Sequence, residues 1–129
     1  MVLVDSDVMI DLLREYSPAL KWLDSFDDEI LLSGFVVMEL IQGCKNRTEQ
    51  RRMQKELENY NVIWPSPEIC DEAVDVFAHY YLSHNLGILD ALIGQTAVAL
   101  NLPLHTFNQK HYSVIPNIKL VRPYEKKDI

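Results

Sequence analysis

Two hydrophobic rhythms alternate along this chain. Short blocks with strand-like composition occur at Val2-Leu3-Val4, Ile30-Leu31-Leu32, Val62-Ile63-Trp64, Leu104-His105-Thr106 and Lys119-Leu120-Val121, and each predicts a short β-strand. Between them, apolar residues recur three or four positions apart, the spacing of a helix face. Val8, Met9, Leu12 and Leu13 predict a first helix capped by Ser6 or Asp7, and Ser17-Pro18 opens a second through Leu20 and Leu23. Ser33 closes the second strand and begins a helix with Val36, Val37, Leu40, Ile41 and Cys44 on one stripe. Further helices are predicted over 48–58, 68–83 and 89–100, the last ended by Asn101-Leu102-Pro103.

Short apolar strands alternating with helices imply an α/β fold, a parallel sheet covered on both faces, here as one domain over residues 1–129. In such sheets, function gathers just beyond the carboxyl ends of the strands. Those are the positions where candidate chemistry is sought.

Composition narrows the field. With 48% hydrophobic and 24% charged residues, the chain has ample apolar surface for a core, which excludes intrinsic disorder. The longest apolar stretch, 30–41, contains Ser33, Gly34 and Glu39 and falls well short of the ~20 residues of a membrane span. The opening MVLVDSDVMI has no positive leader region and reads as part of the mature fold. Cys44 and Cys70 lack the spacing of a disulfide framework or metal knuckle, as expected of free thiols in a reducing cytoplasm.

A net charge of −7 weighs at first against a nucleic-acid partner. The charge is uneven, however. Residues 45–55 carry Lys45, Arg47, Arg51, Arg52 and Lys55 against Glu49 alone, a local +4 that leaves −11 on the rest. Arg47, Arg51 and Lys55 recur every four residues and share a helix face. A solvated helix is the simpler assignment; an RNA-backbone or dimer-rim contact is the alternative.

Three acids stand out at the strand ends. Asp5 directly follows the first strand, Glu39 lies in the apolar window 36–41 after the second, and Asp90 lies in the apolar run 87–93 at a helix start. Singly, each has an ordinary explanation: a turn residue, a surface acid beside an apolar stripe, and a complement to the helix dipole. Together they are three carboxylates in apolar segments, assigned to one edge of one sheet. Mutual repulsion there is relieved by a divalent cation, and hard oxygen ligands favour Mg²⁺ or Mn²⁺.

These residues resemble the PIN-domain ribonucleases, and especially the VapC-type toxins of toxin–antitoxin pairs. Val2-Leu3-Val4-Asp5 is similar to the family's opening strand and first aspartate. Glu39, in the run from Ser33 to Gly43, and Asp90, in Ile88-Leu89-Asp90-Ala91, match its second and third acids. The run from Leu102 to Asn108 matches its last strand and polar tail, and the resemblance spans the chain in order.

The resemblance implies a PIN-like three-layer fold with a mostly parallel central sheet. It also implies a cytoplasmic, homodimeric endoribonuclease, dependent on Mg²⁺ and silenced by a VapB-like antitoxin. Asp5, Glu39 and Asp90 would hold the metal, and Thr106 and Asn108 would position water or the RNA phosphate. Where the family commonly has another aspartate, this chain has Asn108, with His111 three residues on, which puts a two-metal site in question. Asp7 is assigned to helix capping, and His105 and His111 to structural or exposed positions, with proton donation the lesser alternative. Trp22, Phe26, Phe35, Met38 and Met53 are assigned to the core, with a partner surface as the alternative. Competing readings are a haloacid-dehalogenase-like phosphatase using Asp5 and Asp7, a receiver domain, and a non-catalytic binding module.

Overall fold

The first strand of the chain sits at the centre of the sheet. In the computed structural model, which describes residues 1–126, β1 (Val2–Val4) lies between β2 (Ile30–Ser33) and β4 (Leu104–His105). The edges are β3 (Asn61–Ile63) and β5 (Leu120–Val121), giving the order β3-β2-β1-β4-β5. Every pairing is parallel, with Leu3 in register with both Leu31 and Leu104. All of β1 is buried, as a strand covered on both faces must be. The expected domain runs to 129, and its final three positions lie outside the described residues.

The connecting segments form α1 (Ser6–Leu13), α2 (Ser17–Ser25), α3 (Gly34–Gln42), α4 (Arg47–Leu57), α5 (Pro67–His84), α6 (Ile88–Ala99) and α7 (Gln109–Tyr112). The α/β class and the parallel sheet agree with the sequence reading. Strand and helix ends move by about a residue, and α7 is an addition that its four residues are too short to announce. The receiver reading fails on topology, because the third strand is an edge strand and the central one carries Asp5.

Capping differs from expectation at α1. Asp5, rather than Ser6 or Asp7, is the N-cap, its Oδ1 accepting from the Ser6 amide at 2.8 Å. At α3 the expected Ser33 cap is present, accepting from the Phe35 amide. A charged-helix start at Thr48 moves to Arg47, because Asn46 accepts from the Glu49 amide and Glu49 reaches back to the Lys45 amide.

Two glycines set close approaches that matter for the site. A Cβ on Gly34 would collide with the Trp64 indole, so glycine lets that ring lie directly on the start of α3. A Cβ on Gly94 would collide with Ile115 and lie 3.2 Å from Cδ1 of Tyr112. Gly94 therefore lets α6 lie directly on the α7 region, one turn from Asp90 on the same helix face.

Candidate active site at the sheet edge

Because all strands are parallel, their carboxyl ends share one edge. Asp5 continues β1 there, its amide bonded to the His105 carbonyl at 3.0 Å, which sets it beside Thr106. Glu39 stands nearly two turns into α3, and helical side chains lean toward the helix N-terminus, here back toward the sheet edge. Asp90 occupies the first turn of α6, which Gly87 caps without a side-chain bond.

The acids share a desolvated environment, and two of them feel their neighbours. Asp5 is 5% exposed, and burial raises its carboxyl above the ordinary range, with Asp90 adding to the rise. Hydrogen bonds from the Thr106 hydroxyl and the Ser6 amide oppose that rise, as does the nearby Tyr112 hydroxyl. Glu39 is pushed up to about 7 by burial and then by the negative fields of Asp5, Asp90 and Asp7. Burial also raises Asp90, against the lowering influence of Tyr112 and His111. Each acid is thus displaced by desolvation, and Asp5 and Glu39 by neighbouring acids as well.

Thr106 is fully buried, and its hydroxyl donates to Asp5 Oδ2 at 2.8 Å while accepting from the Asn108 amide at 3.0 Å. It holds Asp5 rather than facing solvent. Asn108 Oδ1 lies 2.6 Å from His111 Nδ1 at the exposed margin. Asp7, assigned from sequence to capping, has a different role. Its Oδ1 accepts from the Val8 amide, and its Oδ2 accepts from the Phe107 amide at 2.9 Å, tying the start of α1 to the segment after β4. Both oxygens are engaged, so Asp7 is not presented as the second aspartate of a phosphatase pair.

His105 faces away from the acids. Its ring lies 5.7 Å from Trp22 and 5.5 Å from Phe26, and Nδ1 is buried without a partner. Burial lowers its pKa, so it is a neutral structural histidine. Among the hydrophobics set aside for the core, Met38 is 57% exposed beside Glu39, whereas Trp22, Phe26, Phe35 and Met53 pack against the core.

The residue that sequence reasoning missed is Tyr112. It is fully buried, and its hydroxyl lies near Asp5 and Asp90 yet closes no hydrogen bond of good geometry. Burial, together with the fields of Asp5, Asp90 and Glu39, holds the phenol well above its usual pKa, so it is a neutral donor. No motif marks it; only the folded position of α7 does.

A hard divalent cation suits this donor set: converging oxygen ligands, partly desolvated, that repel one another when ionised. The geometry is not closed in advance, for among the described residues no three His, Cys, Asp or Glu side chains are gathered as a ready-made metal site. Glu39 is half-buried with no hydrogen-bond partner among the described residues, which leaves its side chain free to adjust.

Comparison with known proteins agrees with this architecture. The family model described as PIN domain matches residues 2–115. A Mycobacterium tuberculosis protein named Ribonuclease VapC10 is 35% identical over 122 residues, covering 92% of this chain and 91% of the relative. Among solved structures, a toxin–antitoxin complex from Klebsiella pneumoniae superposes with a TM-score of 0.78 at 28% identity, covering 98% of this chain and 100% of that one. VapBC2 from Rickettsia felis, bound to a DNA fragment from its promoter, gives 0.80 at 20% identity over 94% and 98% of the two chains, a likeness of fold alone.

Proposed function

The chain belongs to the PIN-domain family, and from that premise we propose that it is a Mg²⁺-dependent endoribonuclease, the toxin of a toxin–antitoxin pair. The observation that carries this reading is the electrostatic unit of Asp5, Glu39 and Asp90 at the sheet edge, with Glu39 raised to about 7. Supporting it are the relative named as a ribonuclease and the neighbour described as a toxin–antitoxin complex. The partners that follow are RNA as substrate, a VapB-like antitoxin and a second copy of the chain, in the cytoplasm. No helix among the described residues is long and apolar enough to cross a membrane.

Asp5, Glu39 and Asp90 would hold Mg²⁺, with Mn²⁺ as a substitute. The bound cation supplies charge neutralisation at a phosphate oxygen and acidifies water. Asp5 is the fixed member, held from one side by Thr106 and from the other by the Ser6 amide. Glu39, raised toward neutrality by burial and by the neighbouring acids, would be held ionised by the cation and join it as a ligand. Asn108 and His111 stand at the exposed rim, where an amide and an imidazole can contact the RNA phosphate without adding negative charge.

Incubation of the purified chain with total RNA and Mg²⁺, followed by mapping of cleaved ends, tests the proposal. Cleavage is expected to stop with EDTA, to return with Mg²⁺ or Mn²⁺, and to be lost in Asp5→Asn at unchanged circular dichroism. Undiminished cleavage by Asp5→Asn would refute the site assignment.

A further inference from the structure

We propose that the Tyr112 hydroxyl is a positioning group for the carboxylate site, held buried so that its proton is available to Asp5 and Asp90 when the site is loaded. This rests on the metal-site reading above and extends it to a residue outside the acidic set. Tyr112 has no exposed surface, and its hydroxyl is one of two buried side-chain polar atoms among the described residues without a hydrogen-bond partner. A buried donor left unpaired is costly. A phenylalanine would fill the same space without that cost.

Packing does not account for the hydroxyl. The ring is what meets Gly94, through Cδ1, and the ring alone would seat α7 against α6. The oxygen is instead buried without a partner, on a side chain that feels Asp5, Asp90 and Glu39. As a neutral phenol it brings a donor and no charge, so it can orient a carboxylate without competing with a cation for it. The two acids it serves sit on elements far apart in sequence, Asp5 after β1 and Asp90 on α6. A single hydroxyl donating to one or the other would set their separation once a cation is bound. Outer hydrogen bonds of this kind typically tune metal affinity about 10–100-fold.

The test uses the full chain, Tyr112→Phe and Asp90→Asn, with Mn²⁺ alone as probe, its binding followed by electron paramagnetic resonance. Tyr112→Phe is expected to weaken Mn²⁺ binding by about tenfold or more and to alter the Mn²⁺ spectrum. Its melting temperature in EDTA should stay equal or rise, since the unpaired hydroxyl is gone. In the Asp90→Asn background the same change should have a smaller effect, because one of the two acids it serves is removed. Equal Mn²⁺ affinity and spectra for parent and Tyr112→Phe would overturn the proposal while leaving the metal site standing. Failure of Tyr112→Phe to fold in EDTA would overturn it by making the hydroxyl structural. A parent chain that binds no Mn²⁺ would overturn both.

Discussion

The Thr106 hydroxyl donates to Asp5 Oδ2 at 2.8 Å, joining residues 101 positions apart across the edge of the sheet. Thr106 Oγ1 also accepts from the Asn108 amide, so one side chain both aims the first acid and shapes the segment after β4. Thr106→Val keeps the shape and removes both functions, leaving a buried carboxylate oxygen and an amide without this partner. A loss of about 1–3 kcal/mol in stability is expected, together with a fall in RNA cleavage of about 10–100-fold if Asp5 is a ligand. Thr106→Ser should recover most of both. Denaturant melts and cleavage rates for the pair check this; a serine variant as impaired as valine would show that the methyl, not the hydroxyl, matters.

Glu39 gives a pH dependence with a definite sign. Its carboxyl is raised from 4.5 to about 7 by burial and by Asp5, Asp90 and Asp7. A raised folded-state pKa means the folded chain holds the proton more tightly than the unfolded chain. The associated stability is therefore full below 4.5 and is lost as pH rises through about 7. Asp5, Asp7 and Asp90, also raised, act in the same direction. His105 opposes them, since its lowered pKa gives stability that is present above 6.5 and declines as pH falls. Glu39→Gln isolates the one contribution. In EDTA, its melting temperature relative to the parent should rise from pH 5 and level off above about pH 7, and Mg²⁺ should raise the parent far more than the variant. A difference between the two that is flat across that range would rule out this ionisation.

Gly94 connects packing to the same site. Adding one methyl in Gly94→Ala pushes on Ile115 and on the Tyr112 ring, an overpacking worth about 1–3 kcal/mol. Because Gly94 lies one turn from Asp90, the displacement should reach the acids. The expected outcome is a lower melting temperature accompanied by weaker Mg²⁺ stabilisation. An unchanged Mg²⁺-induced shift would mean that α6 absorbs the strain without moving Asp90.

Local sequence carried the class of fold, and it singled out Asp5, Glu39 and Asp90 as acids in apolar segments, because both depend on local rules. Strand blocks such as Val2-Leu3-Val4 and the stripe from Val36 to Ile41 express burial directly, and parallel strands then place Asp5, Glu39 and Asp90 at a common edge. What was not legible depends on interactions between distant segments. Asp7 resembles a plain helix cap because its neighbours are local, but its other oxygen serves the Phe107 amide, 100 positions on. His105 is adjacent to the site in sequence because it precedes Thr106, yet alternation along a strand turns it toward Trp22 and Phe26. Tyr112 belongs to a four-residue helix whose orientation comes from Gly94 and Ile115, and no periodicity reveals that.

The basic helix gives an acidic chain one surface of opposite sign. Lys45 and Arg47, Arg51, Arg52 and Lys55 of α4 are all exposed, and among the described residues none has an ion-pair partner. Five unpaired cations on one segment of a chain with net charge −7 concentrate positive potential where phosphates can approach. On the same chain, α4 packs against α3, the helix that carries Glu39. Arg51→Glu with Arg52→Glu changes only exposed side chains, so stability should alter by no more than about 0.5 kcal/mol. If these arginines neutralise RNA phosphates, affinity should fall, and the slope of log K against log salt should become shallower by about 0.7 for each phosphate no longer neutralised. Equal slopes for parent and variant, measured with a cleavage-resistant RNA, would assign α4 to a solvated face. A parallel slope change seen only with the antitoxin would instead assign it to that partner.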